Sequence, residues 1–217
     1  MDKTLHKFQL TAEQKLAARS IWENDVTVLS GPAGSGKTLT ALQTFLNLRK
    51  QKHLDKIVCV RLITDTFDEH LGALPGDKDE KMLHFLGPAM DNLEQLLNPG
   101  ELDYELSKNK IEAIPVSYVR GRTFVRCGVL VDEAQNMTDE MILTISTRIG
   151  LGSRMVFCGD PQQRDFRGRN GIVYASRLFE GLEGAGVIRL SKQSICRHDI
   201  IPHILDRAEM LTQVEPK

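Results

Sequence analysis

Gly31-Pro-Ala-Gly-Ser-Gly-Lys-Thr38 decides how this chain is read. It fits the phosphate-binding pattern G-x-x-x-x-G-K-[ST] at every fixed position. An apolar run, Val-Thr-Val-Leu at 26–29, precedes it, and a helix-forming stretch at 39–49 follows. Strand, glycine-rich turn and helix in that order make a phosphate cradle. Glycines let backbone N–H groups approach without Cβ atoms in the way, and the helix presents the positive end of its dipole. The expected ligand is a nucleoside triphosphate, ATP foremost. Gly31, Pro32, Ala33, Gly34, Ser35 and Gly36 would surround the phosphates, with Lys37 as the charge on the β- and γ-phosphates. The Thr38 hydroxyl would be a Mg²⁺ ligand. The alternative, a flexible glycine-rich turn before a helix, does not account for lysine and threonine at the fixed positions.

Outward from the loop, strand candidates fall at 26–29, 57–60, 129–132, 155–158 and 187–190, all short and rich in valine and isoleucine. Such runs suit strands covered on both faces. Helical patterns lie at 11–23, opened by a capping box from Thr11 to Gln14, and at 139–147. Alternation of this kind predicts an α/β fold, a mostly parallel sheet with helices on both faces. Between 61 and 126 the pattern is irregular. It is punctuated by Pro75-Gly76, Pro88, Asn98-Pro99-Gly100 and Pro115, with helical pieces at 80–86 and 89–97. One domain over 1–217, with an insertion at about 61–126, is the expected organisation.

Val129-Leu-Val-Asp-Glu-Ala-Gln135 supplies the other half of a nucleotide site. An apolar strand delivers two adjacent acids to its carboxyl end. Asp132 is expected in the Mg²⁺ shell, and Glu133 is placed to orient and deprotonate a water for attack on the γ-phosphate. Acids at a strand end can also cap the next helix. The following strand runs into Gly159-Asp-Pro-Gln-Gln163, where Gln163, supported by Asp160, is a candidate γ-phosphate sensor. The same residues also suit a plain reversing turn.

Lys and Arg number 28 against 29 Asp and Glu, a formal net charge of −1. That balance excludes a broadly basic nucleic-acid coat but permits a local patch. No apolar run approaches the ~18 residues of a membrane span, and the first residues lack the apolar core of a secretory signal. A cytoplasmic protein with no membrane association is expected. Cys59, Cys127, Cys158 and Cys196 stand alone and read as small buried hydrophobes. His198 and His203 are five apart, a poor spacing for one helix face, so no further metal is assigned.

Together these pieces resemble the PhoH-like family, itself similar to the first motor domain of superfamily 1 helicases. The likeness rests on Gly31–Thr38, Leu71-Gly-Ala-Leu-Pro-Gly-Asp77, Arg120-Gly-Arg-Thr123, Val131-Asp-Glu-Ala-Gln135, Gly159-Asp-Pro-Gln-Gln-Arg-Asp165 and Cys196-Arg197-His198, covering about residues 10–205. It implies a RecA-like P-loop NTPase, an ATP-hydrolysing motor that forms a six-membered ring of identical chains. It also implies a role for Gln14 at the adenine edge, a residue its capping-box place explains equally well. Trp22 can stack on a base or belong to the core. This chain departs from the family in carrying Leu-Ile after Arg61 in place of proline, and Phe166 in place of leucine. No nuclease-like stretch precedes its phosphate loop.

A single motor domain would lack the arginine that a second supplies to the γ-phosphate. Arg197 is the first candidate for that role, then Arg120 and Arg122; each can equally be a salt-bridged surface arginine. Basic residues gather at Arg120, Arg122 and Arg126 and at Arg164, Arg167 and Arg169, with Tyr118, Phe124 and Phe166 among them. Such a patch suits single-stranded RNA, and it also suits an ordinary solvated loop. Three functions remain open. They are an ATP-driven motor on RNA, a nucleotide switch for a protein partner, and a small-molecule kinase, which needs an acceptor pocket instead of an acid pair over water.

Overall fold

The valine- and isoleucine-rich runs form β1 (Val26–Ser30), β2 (Lys56–Arg61), β4 (Cys127–Val131), β5 (Arg154–Gly159) and β6 (Ala185–Arg189). With β3 (Ile111–Pro115) they make one sheet in the order β3-β2-β4-β5-β1-β6, every pairing parallel. The computed structural model describes residues 9–62, 87, 89–163 and 170–214. The motif at 71–77, Pro75-Gly76, Pro88, the helical piece expected at 80–86, Ile63, and residues 164–169 with Arg164, Phe166, Arg167 and Arg169 lie outside them.

All five residues of β1 and of β4 are buried, as they must be when both faces are covered. Alternation sorts their side chains. Leu29, Leu130, Val156 and Cys158 pack with α1 (Ala12–Glu23) and α2 (Lys37–Lys50) through Ala17, Ile21, Leu42 and Phe45. Val28, Val129, Val131 and Phe157 pack with two later helices. These are α4 (Asp139–Ser146) and α5 (Gly171–Phe179), through Ile142, Ile145, Ile172 and Ala175. Helices therefore cover both faces. Residues 89–96 add Ala89, Leu93 and Leu96 at helical spacing to the first face, and α3 (Pro99–Ser107) adds Leu102. A last helix, α6 (Ile200–Val214), leaves Ile200, Ile204 and Leu211 exposed. Among the described residues no helix is long and apolar enough to cross a membrane.

The sequence reading needs four corrections. The irregular middle hides β3, which among the described residues pairs with β2 alone, at the edge of the sheet. Glu112 and Pro115 disguise it, yet proline is tolerated at an edge, and Glu112 takes ion pairs from Lys56 and Arg122. Trp22 is not core: it is 37% exposed, its ring edge-on to His53 at 5.4 Å. The buried stripe of α1 runs through Gln14, Ala17 and Ile21, and position 22 falls beside it. Phe124 is buried, so it offers no stacking surface. Cys196 is exposed, unlike the other three cysteines. Burial pushes the Cys59 thiol up to about 12 and that of Cys158 well above its ordinary value, leaving both unreactive.

Candidate nucleotide site

In a parallel sheet all carboxyl ends share one edge, so what leaves β1, β4, β5 and β6 meets there. The phosphate loop follows β1 and is fixed to β5 by the Gly31 N–H donating to the Gly159 carbonyl at 3.2 Å. Lys37 opens α2, and its Nζ donates to the carbonyls of Gly31 at 2.8 Å and Pro32 at 2.9 Å. The Thr38 hydroxyl donates to Asp132 Oδ1 at 3.1 Å, which also accepts from the Glu133 N–H at 3.1 Å. Phosphate loop and acid pair, distant in sequence, are thus in contact.

A hydroxyl oxygen beside a carboxylate oxygen, next to a phosphate cradle, fits Mg²⁺. That ion takes one or two carboxylates and fills its shell with substrate phosphates and water. The electrostatics agree. Burial raises the Asp132 carboxyl above its ordinary value, the Glu133 charge adds to this, and the Thr38 hydrogen bond opposes it. Such a carboxylate gains from a cation. Burial also lowers Lys37, against the acids Asp160, Asp132 and Glu133 that favour its charge.

The Lys37 shift has a measurable sign. A lysine with lowered pKa sheds its proton earlier as pH rises, and a bound polyphosphate restores it. Nucleotide binding at alkaline pH, below the ordinary lysine value, is therefore expected to take up protons. Calorimetry in two buffers of different ionisation enthalpy measures this. Equal apparent enthalpies would show Lys37 fully charged beforehand.

Glu133 has φ 54° and ψ 38°, the left-handed region that a non-glycine residue occupies at a cost of about 1–2 kcal/mol. It starts a 3₁₀ turn, Ala134–Asn136, whose Ala134 and Gln135 are buried. At the end of β5, Asp160 is buried and closes a turn, accepting from the Gln162 N–H on Oδ1 and from the Gln163 N–H on its carbonyl. Gln163 itself is exposed at this edge.

Gln14 is buried and occupied. Its Oε1 accepts from the Thr11 N–H at 2.9 Å, completing the capping box. Its Nε2 donates to the carbonyls of Ser35 at 2.9 Å and Ser194 at 3.3 Å. A primary amide has two N–H donors, and both find acceptors within the chain. Gly36, at φ 78°, makes room: a Cβ there would lie 2.6 Å from Gln14 Nε2. Residues 194–197 are drawn onto the same loop, with the Cys196 N–H donating to the Gly34 carbonyl at 3.2 Å. The Cβ of Arg197 lies 3.5 Å from where a Gly34 Cβ would stand. Arg197 therefore sits, exposed, beside the phosphate loop of its own chain.

The arginines at 120–126 do not form one patch. Arg126 precedes β4 and pairs with Asp55 before β2, at the amino edge of the sheet away from the phosphate loop. Arg122 pairs with Glu112 and covers the Phe124 ring at 5.5 Å. Arg120 and Tyr118, the latter 71% exposed, remain at the surface. Sequence reading gave no role to Gln135, which the structure places against Glu133. Its only signal in the sequence is a glutamine two positions after an acid.

The profile of a family described as PhoH-like protein matches residues 8–209. A PhoH-like protein of Synechocystis is 32% identical over 208 residues, covering 95% of this chain and 63% of its own. One from Bacillus subtilis is 33% identical over 198 residues, covering 90% and 62%. Protein PhoH2 of Mycolicibacterium smegmatis is 37% identical over 214 residues, covering 95% and 47%. This chain thus spans about three-fifths or less of the length of these relatives. Among solved structures, the Pif1 helicase from Candida albicans superposes with a TM-score of 0.51 at 17% identity, over 94% of this chain and 44% of that one. The likeness is one of fold, the RecA-like α/β arrangement.

Proposed function

This chain belongs to the PhoH-like family, and from that premise we propose that it hydrolyses ATP with Mg²⁺ at the carboxyl edge of its sheet. One observation carries the proposal: the Thr38 hydroxyl meets Asp132 while Lys37 and Glu133 flank the pair. Thr38 and Asp132 would hold Mg²⁺, which supplies charge neutralisation on the phosphates. Lys37 exchanges its carbonyl partners for phosphate oxygens. Glu133 accepts the proton of the attacking water, Gln163 reads the γ-phosphate, and Arg197 neutralises charge growing on it. A cytoplasmic location goes with this reading.

The direct test is phosphate release by the purified chain with Mg²⁺ and with chelator. Release that persists in chelator, or survives Thr38→Ala unchanged, refutes it. Arg197→Ala is expected to cut turnover at least tenfold while nucleotide affinity stays within about twofold, because an arginine finger is worth about 10³–10⁵ and a partial contribution is visible. Unchanged turnover removes Arg197 from the mechanism.

As the finer part of the proposal, the ATPase is a ring-forming, helicase-like motor of identical chains, a hexamer, acting on RNA or single-stranded nucleic acid. The fold shared with a helicase motor recommends the polymer; Arg120 and Tyr118 are the described residues offered to it, with Arg167 outside them. A nucleotide switch for a protein partner is the second reading, favoured by the commitment of Arg122 and Arg126 to acids. Turnover with and without RNA over a salt series, with mass in solution, separates them. RNA stimulation that fades with salt supports the motor, since phosphate contacts release counterions. Unstimulated turnover by a monomer supports the switch.

A further inference from the structure

We propose that Gln135 is a positioning residue for hydrolysis, its amide tying Glu133 to the backbone of Asp160 and coupling the general base to the loop leaving β5. The proposal rests on the ATPase reading above. Strands β4 and β5 are neighbours, with Val131 beside Phe157, and β5 continues two residues further. The 3₁₀ turn after Glu133 folds Gln135 back across that step, where it is 3% exposed. Its Oε1 accepts from the Asp160 N–H at 3.2 Å and its Nε2 donates to Glu133 Oε2 at 2.5 Å.

The polarity of this link is not free. A backbone N–H only donates, so it needs the amide oxygen, and that turns the NH₂ group towards Glu133. A flipped amide would set two donors against each other and its oxygen against a carboxylate. The amide therefore presents a donor to the carboxylate and holds it through one oxygen, Oε2. Glycine at 159 protects the seat, since a Cβ there would lie 2.7 Å from Gln135 Oε1. Beyond it, Asp160 organises Gln162 and Gln163. A displacement of this turn on meeting a phosphate moves the Asp160 N–H, hence the amide, hence Glu133. Asp160 and the base are two hydrogen bonds apart, and Gln163 is one further.

Three variants test the coupling: Gln135→Met, the near-isosteric Gln135→Glu, and Gly159→Ala, which crowds the amide without altering either partner. Each is assayed for ATP turnover and for the affinity of a non-hydrolysable ATP analogue, alongside Glu133→Gln and the double variant Gln135→Met/Glu133→Gln. The expected result is turnover down about 10–100-fold with analogue affinity within about twofold, and a double variant no slower than Glu133→Gln alone, as for residues acting as one unit. Turnover within twofold of the parent overturns the coupling. So does a parallel loss of affinity, or losses that multiply in the double variant. A parent chain without ATP turnover overturns the ATPase reading itself, and the coupling with it.

Discussion

Glu133→Gln is expected to lower ATP turnover by about 10²–10⁴-fold, the range of a general base, while leaving nucleotide binding in place. The side chain keeps its shape and its place before the 3₁₀ turn, but it can no longer take a proton. Thr38, Asp132 and Lys37 are untouched, so the phosphates and Mg²⁺ still find their partners. Single-turnover phosphate release, paired with titration of a fluorescent ATP analogue, reads both quantities. Hydrolysis at the parent rate would deny Glu133 its role. Loss of binding would mean that the acid holds the nucleotide.

The second large effect is expected in the core. Phe45 on α2 is fully buried and lies against β4 at Gly128, where a Cβ would come within 2.6 Å of its ring. Ring and glycine form one fitted contact between the helix that carries Lys37 and the strand that delivers the acid pair. Phe45→Ala should cost about 3–5 kcal/mol through lost burial and an unfilled cavity. In a chain of this size that moves the midpoint of thermal unfolding by on the order of 10 °C. Gly128→Val should be at least as harmful, because the ring has nowhere to go. Chemical denaturation measures both. A loss under 1 kcal/mol for Phe45→Ala would show that α2 is held by other contacts.

Much of this was legible in the residues. The phosphate pattern, the acid pair and the buried strands are local signals, each fixed by neighbours in sequence, and the structure brings them to one edge. Thr11 and Gln14 likewise announced their capping box. The missed features are those set by distant partners. β3 looks like a loop because an edge strand tolerates glutamate and proline. Trp22 looks like core because composition says nothing of which side of a helix meets the sheet. Arg122 and Arg126 look like a nucleic-acid patch until Glu112 and Asp55 arrive from elsewhere in the chain. The additional partners of Gln14 at Ser35 and Ser194, and those of Gln135, depend on a fold already made.

The union of Gln14 with Ser194, 180 residues apart, has a bearing on biosynthesis. Glu13 reinforces it by accepting from the Ser191 N–H and the Ser194 hydroxyl. A nascent polypeptide acquires its opening helix, central strand and glycine-rich bend early. It cannot lock the bend until Ser194 has left the ribosome, since such long-range closures form late. Products terminated before Ser194 would therefore carry that bend without its late partner.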